Sequence, residues 1–316
     1  MRYASLGISG LLTLNLHSLN NEGSEGNYLQ TRQVQIVDEN GDLKTVNAIS
    51  GDMFKHIQAE HLYYLAKERG LPLCNGCETF NANRIVIDQE FADRFEEKSQ
   101  ESEILSGALQ TCIIDDMEGI LITSKVGGKK RSIGRKSVIE FGWVVGRPES
   151  TRTDSFFHVK YVSEGQGNDP KDESGANLGQ NIFHRPASSG QYAVVLNLDL
   201  YRIGRNDITQ ELAISEEEQL ERAKALLTSV LYTMVKPSGA HRNTQNPHIT
   251  AFEGCFTLSN STVPAPLASA LNKGYREEIE QITTALNKVS NNSISYKTFN
   301  TLSDFSEQMS QLILTL

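Results

Sequence analysis

Two short motifs carry residue types suited to ligation or catalysis. Cys74-Asn-Gly-Cys77 has the spacing of half a zinc site or of a dithiol redox pair, since two thiolates one helical turn apart can share a metal or a disulfide. A structural zinc needs two more ligands, and the chain has no second C-x-x-C and no H-x-x-x-H; Cys112 and Cys255 stand alone. A redox pair should open a helix after a strand, whereas this one follows a helix end and Pro72. Gly127-Gly128-Lys129-Lys130 lacks the glycine six residues before the lysine, and the Ser or Thr after it, that a phosphate loop requires. No paired-carboxylate, Ser-His-Asp or metal-ligand spacing stands out, and His61, on the apolar side of a predicted helix, reads as a core histidine. No catalytic residue, cofactor or metal is expected.

What remains are groups suited to a sugar-phosphate backbone. The loop from His17 to Gln33 holds Asn20, Asn21 and Arg32; the loop from His241 to His248 holds Arg242, Asn243 and Gln245. Amides, His and Arg contact sugar and phosphate without reading sequence. Taken singly, each is equally an ordinary solvated polar loop. Ser50 is a predicted N-cap for a helix from Gly51 to about Arg69, closed by Gly70 and Pro72. Lys55 and His56 fall in its first turns, where free N–H groups and the helix dipole favour a phosphate, although a solvated Lys and His fit the same pattern. Lys129, Lys130 and Arg131 lie in the stretch from Lys125 to Lys136, which has six basic residues and no acid.

The elements that must position these groups follow from periodicity. The 316 residues carry a net charge of −9, which argues against a simple basic protein that coats nucleic acid, but the charge is segregated: Asp88 to Glu103 holds seven acids against two bases. Four cysteines without a signal segment favour a reduced, cytoplasmic setting. Apolar runs fall short of the roughly 20 residues that cross a bilayer.

The central strand is predicted within Gln191 to Asp207, where Tyr192, Val194, Leu196, Leu198 and Leu200 form an apolar face and Asn197, Asp199 and Tyr201 a polar end. Asp199 would repel phosphate, so the loops rather than the strand are expected to bind. Residues 5 to 20 alternate likewise, with Leu6, Ile8, Leu12, Leu14 and Leu16 facing one way and Ser9, Thr13, Asn15 and His17 the other. Such a sheet has one dry face and one usable face. Met53, Phe54, Ile57, Tyr64 and Leu65 make the buried stripe of the 51–69 helix. Glu39 to Asp42 suits a hairpin turn, an acidic helical run covers Asp88 to Leu105, and Ile113 to Ser124 reads as strand. Phe156 to Gly190 reads as a hairpin arm. Ser215 and Glu218 open an amphipathic helix that stops at Lys236-Pro237. Further elements are a strand over ITAFEGCFTLS, a helix near Leu267 to Lys288, an extended SISYKTF and a last helix from Asp304. Strand, helix, strand, then strand, helix, strand is the order of a ferredoxin-like, RNA-recognition-motif-like α+β fold.

LNLHSLNNEG, DENGDLKTVNAISGDMFKHIQ, FGWVVGRPESTRTDSFFHVKY, SSGQYAVVLNLDLYRIG and PSGAHRNTQNPH, in this order from about Tyr3 to Leu258, resemble the DevR-type CRISPR autoregulator family. That family is the Cas family seven backbone subunit of type I Cascade complexes, here most similar to type I-B. The resemblance implies a palm (1–70, 113–155 with the basic segment, and 191–260), a helical insertion (71–112), a thumb hairpin (156–190, with Phe157, His158, Phe183 and His184) and a C-terminal helical segment (261–316). It implies copies polymerised head to tail on a guide RNA, other Cascade subunits as partners, and target DNA met through the guide in an R-loop. Ser50, Lys55, His56, His241, Arg242 and Asn243 then match guide-contacting positions, and Lys129, Lys130 and Arg131 could touch guide or target. Related type III subunits cut RNA with an acid in the loop after the first strand; Glu22 and Glu25 stand there, and type I backbones are not expected to cut. The competing class is a precursor-RNA-processing endoribonuclease of the same fold, with His17 or His56 as acid or base.

Overall fold

The alternation in residues 5 to 17 produces a strand buried between two others, and the sheet grows from it. In the computed structural model, which describes residues 2–161, 180–240 and 243–316, this strand is β1 (Ser5–His17). Then come β2 (Asn21–Glu25), β3 (Tyr28–Thr31), β4 (Gln33–Val37), β5 (Leu43–Ile49) and α1 (Gly51–Arg69). The stretch after α1 holds α2 (Asn75–Glu78), α3 (Gln89–Ala92), α4 (Glu101–Thr111) and α5 (Ile113–Glu118). Short strands follow: β6 (Ile120–Ile122), β7 (Lys125–Val126), β8 (Lys129–Lys130), β9 (Ile133–Arg135) and β10 (Ile139–Phe141). The long pair β11 (Val144–Tyr161) and β12 (Gln180–Leu198) leads to α6 (Glu216–Val235), β13 (His248–Ser259), α7 (Tyr275–Asn287), β14 (Ile294–Phe299) and α8 (Leu302–Leu314).

The main sheet runs β14-β13-β1-β12-β11-β5-β4, with β10 also paired to β12. β1 is antiparallel to both neighbours, Leu6 opposite Leu198 and Leu258, and Leu12 opposite Tyr192 and Phe252. Because side chains alternate, this register puts Leu6, Ile8, Leu12 and Leu14 on the face shared with Tyr192, Val194, Leu196 and Leu198, all fully buried. Helices α1, α6 and α8 cover that face through one continuous core. The fold is mixed α/β about a large antiparallel sheet.

Caps and turns fall where the sequence places them. Ser50 Oγ accepts the Met53 N–H, Gly70 closes α1 in the left-handed region, and Ser215 caps α6. The 39–42 turn joins β4 to β5. Other expectations are corrected. Tyr64 is 60% exposed, and the buried stripe of α1 is Phe54, Ile57, Gln58, Leu62 and Leu65. His61 is half-buried at the rim between α1 and α6, its Nε2 3.2 Å from the Lys236 carbonyl and its ring edge-on to Tyr232. The acidic run is broken into α3 and α4. Residues 113–118 are helix rather than strand, started at Cys112 with Asp115 and Asp116 in the first turn, where carboxylates suit the dipole. The segment before Tyr275 is not helical.

The sheet's second face is not open along its middle. Leu11, Ala193 and Cys255 lie under Ala270, Tyr275 and Ile279 in a smaller core, and Ser9 Oγ accepts the Ala268 N–H at 3.3 Å. Chain after Pro264 thus lies over the face that alternation alone marks as usable.

A buried ion cluster locks α5 to β9 and α6. Asp116 receives Arg135 at 2.7 Å and Arg222 at 2.8 Å, and both its oxygens accept the Gly204 N–H. All three side chains are fully buried, so removing the carboxylate leaves two buried guanidinium groups with only Asp207 (2.9 Å from Arg135) and Glu218 (2.6 Å from Arg222) to answer them. Asp116→Ala is expected to cost about 3–5 kcal/mol, read as a lowered urea midpoint with unchanged slope. A midpoint within experimental error of wild type would contradict this reading.

Candidate nucleic-acid interface

The loop after β1 is built by a reversal in the strand's last turn. Leu16 takes a left-handed backbone (φ 52°), and the register with β12 shifts between Leu14 and His17. The alternation flips as a result: Leu16 is 49% exposed and His17 is 1% exposed. His17 was expected on the polar face, open to a ligand; it is a core residue.

Its partners fix a chain of donors and acceptors. Tyr192 Oη donates to Asn47 Oδ1 at 2.7 Å, so its contact with His17 Nε2 at 2.9 Å must be donated by the imidazole. His17 Nδ1 is then the acceptor for the Leu19 N–H at 3.5 Å. Asn47 Nδ2 donates to the Arg32 carbonyl at 2.9 Å and to Thr31 Oγ1 at 3.1 Å, and Thr31 donates on to the Asn20 carbonyl at 3.0 Å. Asn20 Oδ1 accepts the Ser50 N–H at 2.8 Å. Asn20 is therefore a buried brace between the loop and the start of α1. Gly51 permits that start, since a Cβ there would lie 2.5 Å from the Phe141 carbonyl oxygen.

Around this brace lies a surface. Arg32 stands 5.7 Å over the exposed Trp143 ring and 3.4 Å from Glu22 Oε1. Trp143 shares a shallow cleft with Gly51, Asp52, Lys55 and Glu140. Lys55 Nζ donates to the Glu118 carbonyl at 3.0 Å and lies 4.0 Å from its buried carboxylate. Lys55 is thus partly engaged, and burial lowers its pKa despite the nearby Glu118. Burial raises the Glu118 carboxyl to about 7, against the pull of Lys55 and Arg84. Exposed His56 lines the neighbouring cavity of about 350 Å³ and lies 5.6 Å from Phe80, ring to ring. Asn21 begins β2, its Oδ1 held by Ser18 Oγ at 2.7 Å.

The 239–247 loop meets the same edge. Ala240 N–H donates to the Leu19 carbonyl at 3.0 Å, and Gln245 Nε2 donates to the Pro186 carbonyl at 2.8 Å. Asn243 is exposed there; His241 and Arg242 lie outside the described residues. The basic stretch behaves differently. Lys129 and Lys130 are exposed on the β7–β8 hairpin, but Arg131 is buried, donating to the Glu96 and Glu97 carbonyls at 3.4 and 2.9 Å. Gly127 N–H donates to the Ala92 carbonyl at 3.1 Å, so the basic hairpin lies against the acidic run from which the sequence separates it. Arg131 is corrected from a ligand contact to a fastening.

β11 and β12 stay paired from Thr151 and Gly190 out to Tyr161 and Gln180, forming an arm; residues 162–179 of the expected thumb lie outside the described residues. Phe157 is exposed and edge-on to His184 at 5.9 Å, and His184 stacks on Tyr28 at 4.1 Å. His158 and Phe183, opposite each other in register, are half-buried. Tyr28 and Trp143 are the residues that sequence reasoning missed. Both are exposed aromatics beside a cation or an imidazole, a signal that only the fold brings together.

The family model for the CRISPR-associated negative auto-regulator DevR/Csa2 matches residues 8–280. The chain belongs to that family. It is 23% identical over 291 residues to CRISPR-associated protein Cas7/Csa2 1 of Saccharolobus solfataricus, covering 88% of this chain and 86% of that protein. Two solved chains, from a CRISPR RNA-guided surveillance complex described as pre-nicking and from a CRISPR RNA-guided surveillance complex, superpose with TM-scores of 0.51 and 0.50. Each match covers 98% of this chain and 99% of the other, at 9% and 10% identity, a likeness of fold alone. No helix among the described residues is long and apolar enough to cross a membrane.

The polar chain from His17 to Ser50 makes a pH prediction. Burial holds His17 at about 4, below its ordinary 6.5, so the unfolded chain takes up a proton that the folded chain refuses. This group's share of stability is complete above pH 6.5 and is lost as pH falls toward 4, by about 2 kcal/mol at pH 5. Glu118, raised from 4.5 to about 7, slopes the other way over the same window, because its penalty grows as pH rises. The test is therefore a difference: between pH 7 and pH 5, wild type should lose about 2 kcal/mol more unfolding free energy than His17→Gln. Parallel pH profiles would refute a buried neutral His17.

Proposed function

We propose that this chain is a non-catalytic Cas7-type backbone subunit of a type I, I-B-like, CRISPR RNA-guided surveillance complex in the cytoplasm. It binds guide RNA, stacks head to tail on copies of itself alongside other Cascade subunits, and leaves the guide free to pair with target DNA in an R-loop. The observation that carries this reading is family membership over 8–280 in a chain whose β11–β12 pair extends beyond the sheet as an aromatic-bearing arm. An arm reaching from one copy to a different surface of the next is a heterologous contact, which need not close into a ring and so yields a filament.

The order β13-β1-β12-β10, with α1 and α6 in the crossovers, supports a ferredoxin-like palm. Residues 71–112 act as the insertion, 156–190 as the thumb and 261–316 as a C-terminal cover. At the palm edge, Arg32 with Trp143 offers a cationic stacking platform, while Asn21, Lys55, His56, Asn243 and Gln245 surround it with polar contacts for sugar and phosphate. Ser50, Asn20 and His17 hold that edge in place. Lys129 and Lys130 contribute a separate basic contact. A buried, neutral His17 gives no support to an acid–base role in RNA cleavage.

Co-expressed with a CRISPR array, the protein should elute in a high-mass particle carrying RNA of uniform length. An RNA-free monomer, or metal-independent cleavage of repeat RNA, would overturn the proposal. Arg32→Ala with Trp143→Ala should weaken RNA binding by about tenfold or more and lower the salt slope by about one, the stacked base and the phosphate contact each accounting for a share. Phe157→Ala should shrink the particle while leaving the isolated chain's melting temperature unchanged.

A further inference from the structure

Four ligating side chains converge inside the insertion, away from the palm edge. Cys74 caps α2 and Cys77 lies one turn on; Cys112 starts α5, and Asp115 is in its first turn. One ligand atom from each lies within 4.8 Å of all the others, and all four residues are buried. Asp115 Oδ2 is 3.3 Å from Cys74 Sγ and 4.0 Å from Cys77 Sγ, and Asp115 Oδ1 is buried with no hydrogen-bond partner. The Cys77 N–H points at Cys74 Sγ from 3.4 Å, the contact that stabilises a thiolate at a C-x-x-C turn.

A buried carboxylate oxygen with no hydrogen-bond partner, set among three buried thiols, is costly to leave unanswered. We propose that Cys74, Cys77, Cys112 and Asp115 hold one zinc ion in a closed structural site. Tetrahedral zinc with Zn–S bonds of about 2.3 Å sets its sulfurs about 3.8 Å apart, so even the widest pair of sulfurs, at most 4.8 Å apart, needs to close by no more than about 1 Å. Three sulfurs and one oxygen suit zinc rather than magnesium or calcium, and with four protein ligands no position is left to activate water. Binding replaces each thiol S–H with a Zn–S bond and releases the proton to solvent; no electron is transferred. A disulfide between any two of the cysteines would leave the third thiol and the carboxylate unanswered.

The ion would tie the 71–78 loop to the junction of α4 and α5. The consequence reaches the surface, because Cys77, Ile114 and Glu118 line the same cavity as Lys55 and His56. The site stands independently of what the palm binds.

The full-length chain, purified without chelator, should contain one zinc ion per molecule by mass spectrometry. Replacing it with cobalt should give thiolate-to-metal charge-transfer absorption and the visible bands of a tetrahedral ion, and chelation should lower the melting temperature reversibly. Cys112→Ser should weaken or abolish the charge-transfer band, while Cys255→Ser, the cysteine outside the cluster, should keep it. Substoichiometric metal with no cobalt bands in the wild-type chain would overturn the proposal without recourse to any variant. So would a charge-transfer band of undiminished intensity in Cys112→Ser, or one that vanishes in Cys255→Ser.

Discussion

The proposed interface depends on the left-handed turn at Leu16. It buries His17 where alternation would expose it, and the buried imidazole must then find partners, because an unpaired polar group in a core costs about 1–3 kcal/mol. Tyr192 and Asn47 supply them, and Asn47 in turn has two donors to place. Those reach Thr31 and Arg32, whose chain is held to Asn20, which holds the first turn of α1. Four segments distant in sequence, 17–20, 31–32, 47–50 and Tyr192, are thus set by one string of directed bonds. Every donor has one direction that satisfies the next acceptor, so the string admits a single arrangement. The exposed groups at its end, Arg32 above Trp143, inherit that rigidity.

The elements governed by local rules were legible in the sequence. Ser50 and Gly70 bound α1 because an N-cap hydroxyl and a left-handed glycine are chemically required there; Tyr192 to Leu198 alternate because one face of a strand is buried. What was not legible depends on contacts between distant segments. Nothing near Leu16 signals its left-handed backbone, since the bond that its N–H makes is to Ser189. The six basic residues of 125–136 read as one patch, yet Arg131 and Arg135 are buried because carbonyls of Glu96 and Glu97, and the Asp116 carboxylate, happen to face them. Cys112 looked solitary because its companions come from the distant Cys74–Cys77 turn and from a helix that reads as strand.

That helix, α5, is where the segment after α1 packs back against α4 and α1. Its six residues, Ile-Ile-Asp-Asp-Met-Glu, are all buried, and three of them are acids. A run with so many carboxylates in a core is untenable unless each is answered separately. Asp116 faces Arg135 and Arg222, which brings in β9 and α6. Glu118 faces Lys55, which brings in α1. Asp115 faces Cys74, Cys77 and Cys112, which bring in the 71–78 loop and the end of α4. Successive residues on a helix point about 100° apart, so the adjacent acids Asp115 and Asp116 meet different partners, while Asp115 and Glu118, three apart, both feel Arg84. The same geometry that makes α5 unreadable from its sequence makes it a junction: its three buried acids are met by side chains from several distant parts of the chain. Asp116 meets its cations in direct ion pairs and Glu118 has Lys55 at 4.0 Å, whereas the side chains within contact of Asp115 are thiols and its cation, Arg84, acts on it without a direct ion pair.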